Sequence, residues 1–144
     1  MDQAIAFGGI LGGARALGRR PPRSDAGWHA IVEAGLPYRS FAALARACAL
    51  SDAELGARIG IPKSTLARRR RGRFTVDESD RIYRTARIVA LAQTVLGDPK
   101  AIGAWMREPN EALAGAEPLS LLRTEAGARQ VEALLGRFLF GGYS

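Results

Sequence analysis

Lys63-Ser64-Thr65 and Arg68-Arg69-Arg70-Arg71, with Arg73 just beyond, crowd cations and hydroxyls into a short stretch. Their chemistry is recognition rather than bond making. Arginine pairs bidentately with guanine edges and with phosphates, and lysine or a hydroxyl serves either. The order of residues assigns Lys63, Ser64, Thr65 and Arg68 to base edges, and Arg69, Arg70, Arg71 and Arg73 to phosphates. The bland reading of such a run is a solvated helix face. Four consecutive arginines encircle a helix, so one of them must turn its aliphatic stem toward the core.

A helix-turn-helix is the device that would present these residues. Ser51-Asp52-Ala53-Glu54 has the form of a capping box, which starts a helix at Asp52. Leu55 and Ile59 share its inner face, Gly56 leaves a smooth spot for a crossing helix, and Gly60 supplies a left-handed stop. After the turn Gly60-Ile61-Pro62, Pro62 suits the first position of a second helix beginning near Lys63. Leu66 should pack on Leu55 and Ile59, leaving Lys63, Ser64, Thr65 and Arg68 outward, with free amides at the helix start for a phosphate.

Catalytic constellations are absent from the sequence. His29 is the sole histidine and Cys48 the sole cysteine, so a multi-cysteine metal site and an intrachain disulfide are impossible. No nucleophile elbow accompanies His29, and Gly60 to Thr65 lacks the glycines of a phosphate-binding loop. Of Asp77, Glu78 and Asp80, two sit in the first turn of a helix, where the macrodipole favours acids, so capping accounts for them. The expectation is no catalytic residue, no metal, no cofactor and no enzymatic activity.

Charge divides the 144 residues unevenly. Residues 1–73 hold 13 basic and 5 acidic side chains, whereas residues 74–144 hold 8 and 9. The front therefore suits a polyanion and the rear a different partner. Nineteen of the 21 basic residues are arginine, a bias toward nucleic acid that a GC-rich genome would also produce. One cysteine fits a reducing cytoplasm. Met1 to Leu17 is apolar, but Asp2 replaces the basic start of a secretory signal, and the segment is too short to span a membrane.

The elements that follow are helical. Gly8, Gly9, Gly12 and Gly13 should interrupt any helix near the start, and Arg15 to Gly27 reads as a linker, so residues 1–27 form a flexible arm. Trp28, Ile31 and Val32 mark a short helix ended by Gly35. Ser40 caps a helix through Ala49, with Phe41, Leu44, Ala45 and Cys48 inward, making Cys48 a buried apolar residue. Thr75-Val76-Asp77-Glu78 is a second capping box that opens the longest helix, to about Leu96. Its stripe runs through Ile82, Ala86, Val89 and Ala90, with Arg81, Arg84 and Arg87 largely elsewhere. A short helix follows Pro99, where Trp105, three residues after Ile102, reads more readily as a core anchor than as a ligand stacker. Pro118 to Leu122 makes one turn, and Thr124 caps a helix to about Leu139 that carries Val131, Leu134, Leu135 and Phe138 on one face. No segment alternates with a period of two. The fold is all-α: residues 28–76 form the helix-turn-helix unit, and a long helix joins it to a small helical domain over 77–144. The tail Phe138-Leu139-Phe140-Gly141-Gly142-Tyr143-Ser144 is either a frayed end folded back on the core or a plug for a partner's pocket.

The order of these motifs resembles the Xre/MbcA/ParS family of antitoxins over about residues 36–144. The specific matches are Glu78-Ser79-Asp80-Arg81, Val95-Leu96-Gly97-Asp98, Ala104-Trp105-Met106 with Pro109-Asn110, Gly115 to Pro118 with Leu121-Leu122, Thr124-Glu125-Ala126-Gly127 and the final Gly-Tyr-Ser. Departures are the glycine-rich first 27 residues and Gly56, where the motif commonly has alanine; the glycine would soften its helix by about 1 kcal/mol. The resemblance implies that residues 77–144 bind a toxin and dimerise. The toxin would be a RES-domain protein that consumes NAD, so NAD would belong to the partner. Trp105, Arg137, Phe140, Gly141, Gly142, Tyr143 and Ser144 would touch the toxin and occlude its active site. A homodimer would place two reading helices on double-stranded operator DNA and repress its own operon. The competing reading is a plain helix-turn-helix regulator whose rear half dimerises or senses a ligand.

Overall fold

The computed structural model describes residues 3–141, and among them the regular elements are helices. In chain order these are α1 (Gln3–Ile10), α2 (Gly13–Leu17), α3 (Asp25–Ala34), α4 (Tyr38–Ala47), α5 (Asp52–Ile59) and α6 (Lys63–Arg69). The long α7 (Val76–Leu96) is followed by α8 (Pro99–Arg107), a 3-10 turn (Glu111–Leu113), α9 (Pro118–Leu121) and α10 (Glu125–Leu139). The all-α expectation holds. Extended pairing among the described residues is confined to isolated bridges between Pro37 and Arg73 and between Asn110 and Ala116.

Both capping boxes form. Ser51 Oγ accepts from the Glu54 amide at 3.1 Å while Glu54 accepts from the Ser51 amide at 3.0 Å. Thr75 and Glu78 repeat the exchange at 3.2 and 2.9 Å, so α7 begins where its sequence requires. Ser79, Ile82, Thr85, Ala86, Ile88, Val89, Ala90 and Ala92 are all buried along it. That burial is wider than one amphipathic stripe because α1, α3, α4, α8 and α10 all pack on this helix. A single hydrophobic cluster consequently runs from Phe7 to Leu135. Inside it, Ser79 Oγ accepts from the Leu36 amide at 2.8 Å, and the Thr85 hydroxyl donates to the Arg81 carbonyl at 2.8 Å.

Three local expectations change. Residues 3–17 do not form a flexible arm: α1 passes through Gly8 and Gly9, and Phe7, Ile10, Leu11 and Leu17 are buried. Phe7 packs between Trp28 and Tyr83, with ring centroids 4.9 and 4.7 Å away. The glycine there serves proximity, since a Cβ on Gly8 would stand 2.6 Å from Pro21 Cβ. Tertiary burial thus outweighs a helix cost of about 1 kcal/mol per glycine. Helix α4 starts at Tyr38 after Pro37, not at Ser40, whose side chain is buried in the first turn. The helix also ends at Ala47, before a left-handed Ala49 with φ of 53°. Cys48 is fully buried there, and burial pushes its thiol up to about 12. Phe138 has the angular phase of the packed face but is 49% exposed. Val131, Leu134 and Leu135 complete the contact of α10 with the body, and its last turn overruns that support.

Replacing Phe7 by Ala should therefore lower the unfolding free energy by about 3 kcal/mol or more, the range for large aromatic truncations in a core. Urea denaturation followed by circular dichroism measures it. An unchanged midpoint would return the N-terminal helices to the status of an ornament.

Candidate nucleic-acid and partner interfaces

The front site is built on α5, the turn and α6. Gly60 has φ of 80°, and the Ile61 amide donates back to the Gly56 carbonyl at 2.8 Å. A Cβ on Gly56 would lie 2.4 Å from the Ile61 carbonyl oxygen. The residue that looks like a weakness in α5 is what lets the turn close so tightly. Pro62 precedes α6 as its cap rather than as its first residue, with ψ of 162°. Leu66 is buried beside Leu55 and Ile59, as expected.

The arginine run separates into tethered and open members. Helix α6 ends at Arg69, so Arg70 and Arg71 leave the helix rather than encircling it. Arg69 is the member turned inward: its guanidinium meets Glu78 at 2.7 and 3.2 Å. Arg70 lies over the Tyr38 ring, 5.4 Å from its centroid, and the Tyr38 hydroxyl donates to Asp52 at 2.5 Å. Burial, helped by the Asp52 carboxylate, raises the Tyr38 hydroxyl above its ordinary 10.0. Arg73 donates to the Gly35 carbonyl at 3.0 Å. Thr65 is buried, contrary to the outward position expected of it, beside Leu66 on the packed side of α6. Its hydroxyl accepts from Arg68 at 3.2 Å. Lys63, Ser64 and Arg71 are exposed and make no side-chain bond to a described residue.

Sequence reasoning missed a set of arginines that bind the two halves together. Arg81 donates to the carbonyls of Ile59 and Gly60 at 3.2 and 2.9 Å. Arg123 donates to those of Ala57 and Arg58, both at 2.8 Å. Together they satisfy four successive carbonyls at the C-terminal end of α5, where helix geometry leaves acceptors unmet and the macrodipole favours cations. Arg84 in turn holds the carbonyls of Leu122 and Arg123 at 3.3 Å and pairs with Glu125 at 3.2 Å. Arg87 adds a second cation on Glu125 at 3.1 Å. Burial alone would raise the Glu125 carboxyl, but the Arg87 and Arg84 bonds outweigh it and hold the group below its usual range. Across the same seam Glu54 pairs with Arg107 and Arg58 with Glu117, each at 3.3 Å. For Arg81, Arg84 and Arg87 the only sequence signal was their position off the apolar stripe of α7, and Arg123 had none.

At the far end, α10 exposes Phe138, Leu139 and Phe140, at 49%, 38% and 87%. Arg137 and Gly141 are exposed beside them. Trp105 is partly buried against the core, the anchor its spacing implied. Gly142, Tyr143 and Ser144 lie outside the described residues.

A helix-turn-helix locked onto a helical rear domain with an apolar terminus defines a bipartite regulatory protein. Residues 27–87 match the antitoxin Xre-like helix-turn-helix domain, and residues 91–141 match the antitoxin Xre/MbcA/ParS C-terminal toxin-binding domain. The two spans meet within α7. An antitoxin Xre of Pseudomonas putida is 42% identical over 77 residues, covering 52% of this chain; the chain spans about half of that relative's length, 48%. One from Yersinia enterocolitica is 41% identical over 98 residues, 66% of each chain, and one from Photorhabdus laumondii is 32% identical over 124 residues, 84% of each. The chain belongs to the Xre/MbcA/ParS antitoxin family. No helix among the described residues is long and apolar enough to cross a membrane.

The Arg69–Glu78 pair sets a pH dependence. Burial raises the Glu78 carboxyl, and the bonds from Arg69 and the Thr75 amide more than reverse that, leaving it below 4.5. A depressed folded value means stabilisation present above 4.5 and lost as pH falls through the lowered value. Glu78→Gln should destabilise at pH 7 and flatten the acid limb of the stability profile. Thermal melts across that window test it, and a variant with an acid limb as steep as the parent's would contradict the assignment.

Proposed function

We propose that this chain neutralises a RES-domain, NAD-consuming toxin by covering its active site, and that as a homodimer it represses its own operon in the cytoplasm. The observation that carries the reading is the apolar end of α10, which overruns the body inside the span matching a toxin-binding domain. An 87% exposed Phe140 has its whole ring available for transfer into a partner's pocket, worth about 1.5–3 kcal/mol. Arg137, residues 141–144 and the accessible part of Trp105 extend that contact. NAD and its chemistry belong to the toxin, while this chain acts by binding.

On the front, residues 28–76 form the reading unit. Lys63, Ser64 and Arg68 approach base edges, with Thr65 steering Arg68 rather than reaching the bases itself. Arg71 meets phosphate, whereas Arg69, Arg70 and Arg73 hold α6 in place and offer phosphates only what their tethers leave free. Residues 77–144 form the toxin-binding and dimerisation unit. The two-fold axis of the dimer would be mirrored in a palindromic operator.

Coexpression with the adjacent toxin gene tests the reading. Removal of residues 140–144, and separately Phe140→Asp, should abolish copurification with the toxin and restore its toxicity. Full protection by both variants would refute occlusion by the tail.

A further inference from the structure

Outside the helix-turn-helix, a second cationic surface forms where α2 crosses α4. Arg15, Arg39 and Arg46 line one shallow groove with only Gly12, Ala16 and Ala42 between them. All three arginines are exposed, and none meets a carboxylate or any other side-chain partner among the described residues. Arg58, Arg69, Arg84, Arg87 and Arg107, by contrast, each have an acidic partner. Arg39 is the chain neighbour of Tyr38, whose ring carries Arg70. From Arg39 to Arg46 the stripe advances about 10 Å along α4, more than one phosphate step of a DNA strand. Arg19, Arg20 and Arg23 continue the exposed charge beyond α2.

We infer that this groove is a phosphate-binding track for duplex DNA flanking the stretch read by α6, and that the N-terminal helices exist partly to bring Arg15 to it. The small residues between the arginines let a sugar-phosphate backbone approach the helix surface closely. Contacts of this kind add affinity and position without reading sequence. The inference rests on the proposed DNA binding and extends it to residues 1–26, which precede both matched family spans.

The test uses the full chain and DNA from immediately upstream of its own gene, as duplexes of about 20 and about 40 base pairs centred on the same site. Wild type, R15Q/R39Q/R46Q and K63Q/R68Q are compared by fluorescence anisotropy over a salt series. The wild type should prefer the long duplex, and R15Q/R39Q/R46Q should lose that preference. Its log–log salt slope should also fall by roughly 3 per bound protomer, at about 0.9 per phosphate contact. If only K63Q/R68Q loses affinity, the track is overturned and α6 reading stands. If the wild type binds neither duplex, or both variants bind as it does, the proposed DNA binding falls and the track with it. Circular dichroism melts confirm that these exposed substitutions leave the fold intact.

Discussion

Everything in this molecule is referred to α7. Its sides carry the N-terminal helices, α4, α8 and α10, so front and rear share one apolar cluster rather than meeting as two separate cores. The seam is then stitched by guanidinium groups that reach backbone carbonyls. Arg81 and Arg123 supply the donors that the end of α5 lacks, and Arg84 fastens the loop that carries Arg123. A helix end with four unmet acceptors has no stable place against another surface unless donors arrive from it. The turn ahead of α6 therefore takes its position from Arg81 of α7 and from Arg123 in the loop before α10.

That arrangement divides the arginines by task. Those of α7 and the loop before α10 are spent on structure, as are Arg69 and Arg73 near the reading helix. Lys63, Ser64, Arg68 and Arg71 remain at its surface for a ligand. The same division appears at the other end, where Leu134 and Leu135 finish the packing of α10 and Phe138, Leu139 and Phe140 are exposed. An antitoxin that both covers a toxin and grips DNA would draw on such a division.

How far the sequence revealed this follows from the range of each interaction. Capping boxes at Ser51 and Thr75, the left-handed Gly60 and the cap at Thr124 were legible because both partners lie within four residues. The inward member of the arginine run was foreseeable as a necessity, but only Glu78, nine residues on, identifies it as Arg69. The N-terminal helices were misread because glycine counts locally against a helix, while Phe7 finds Trp28 and Tyr83 far along the chain. Thr65 escaped the sequence because a seven-residue helix with one apolar anchor, Leu66, does not fix how wide its packed side is. Arg123 was invisible: its acceptors are carbonyls 65 and 66 residues earlier, and a carbonyl has no sequence signature.

The central claim is that front and rear are one cooperative unit built around α7. Native-state hydrogen exchange on the uncomplexed protein, followed residue by residue through low urea, tests it most directly. The account requires the slowest amides of α4, α7 and α10 to share one opening free energy and one urea dependence. A rear helix that opens at a distinctly lower free energy, with α4 still closed, would contradict it.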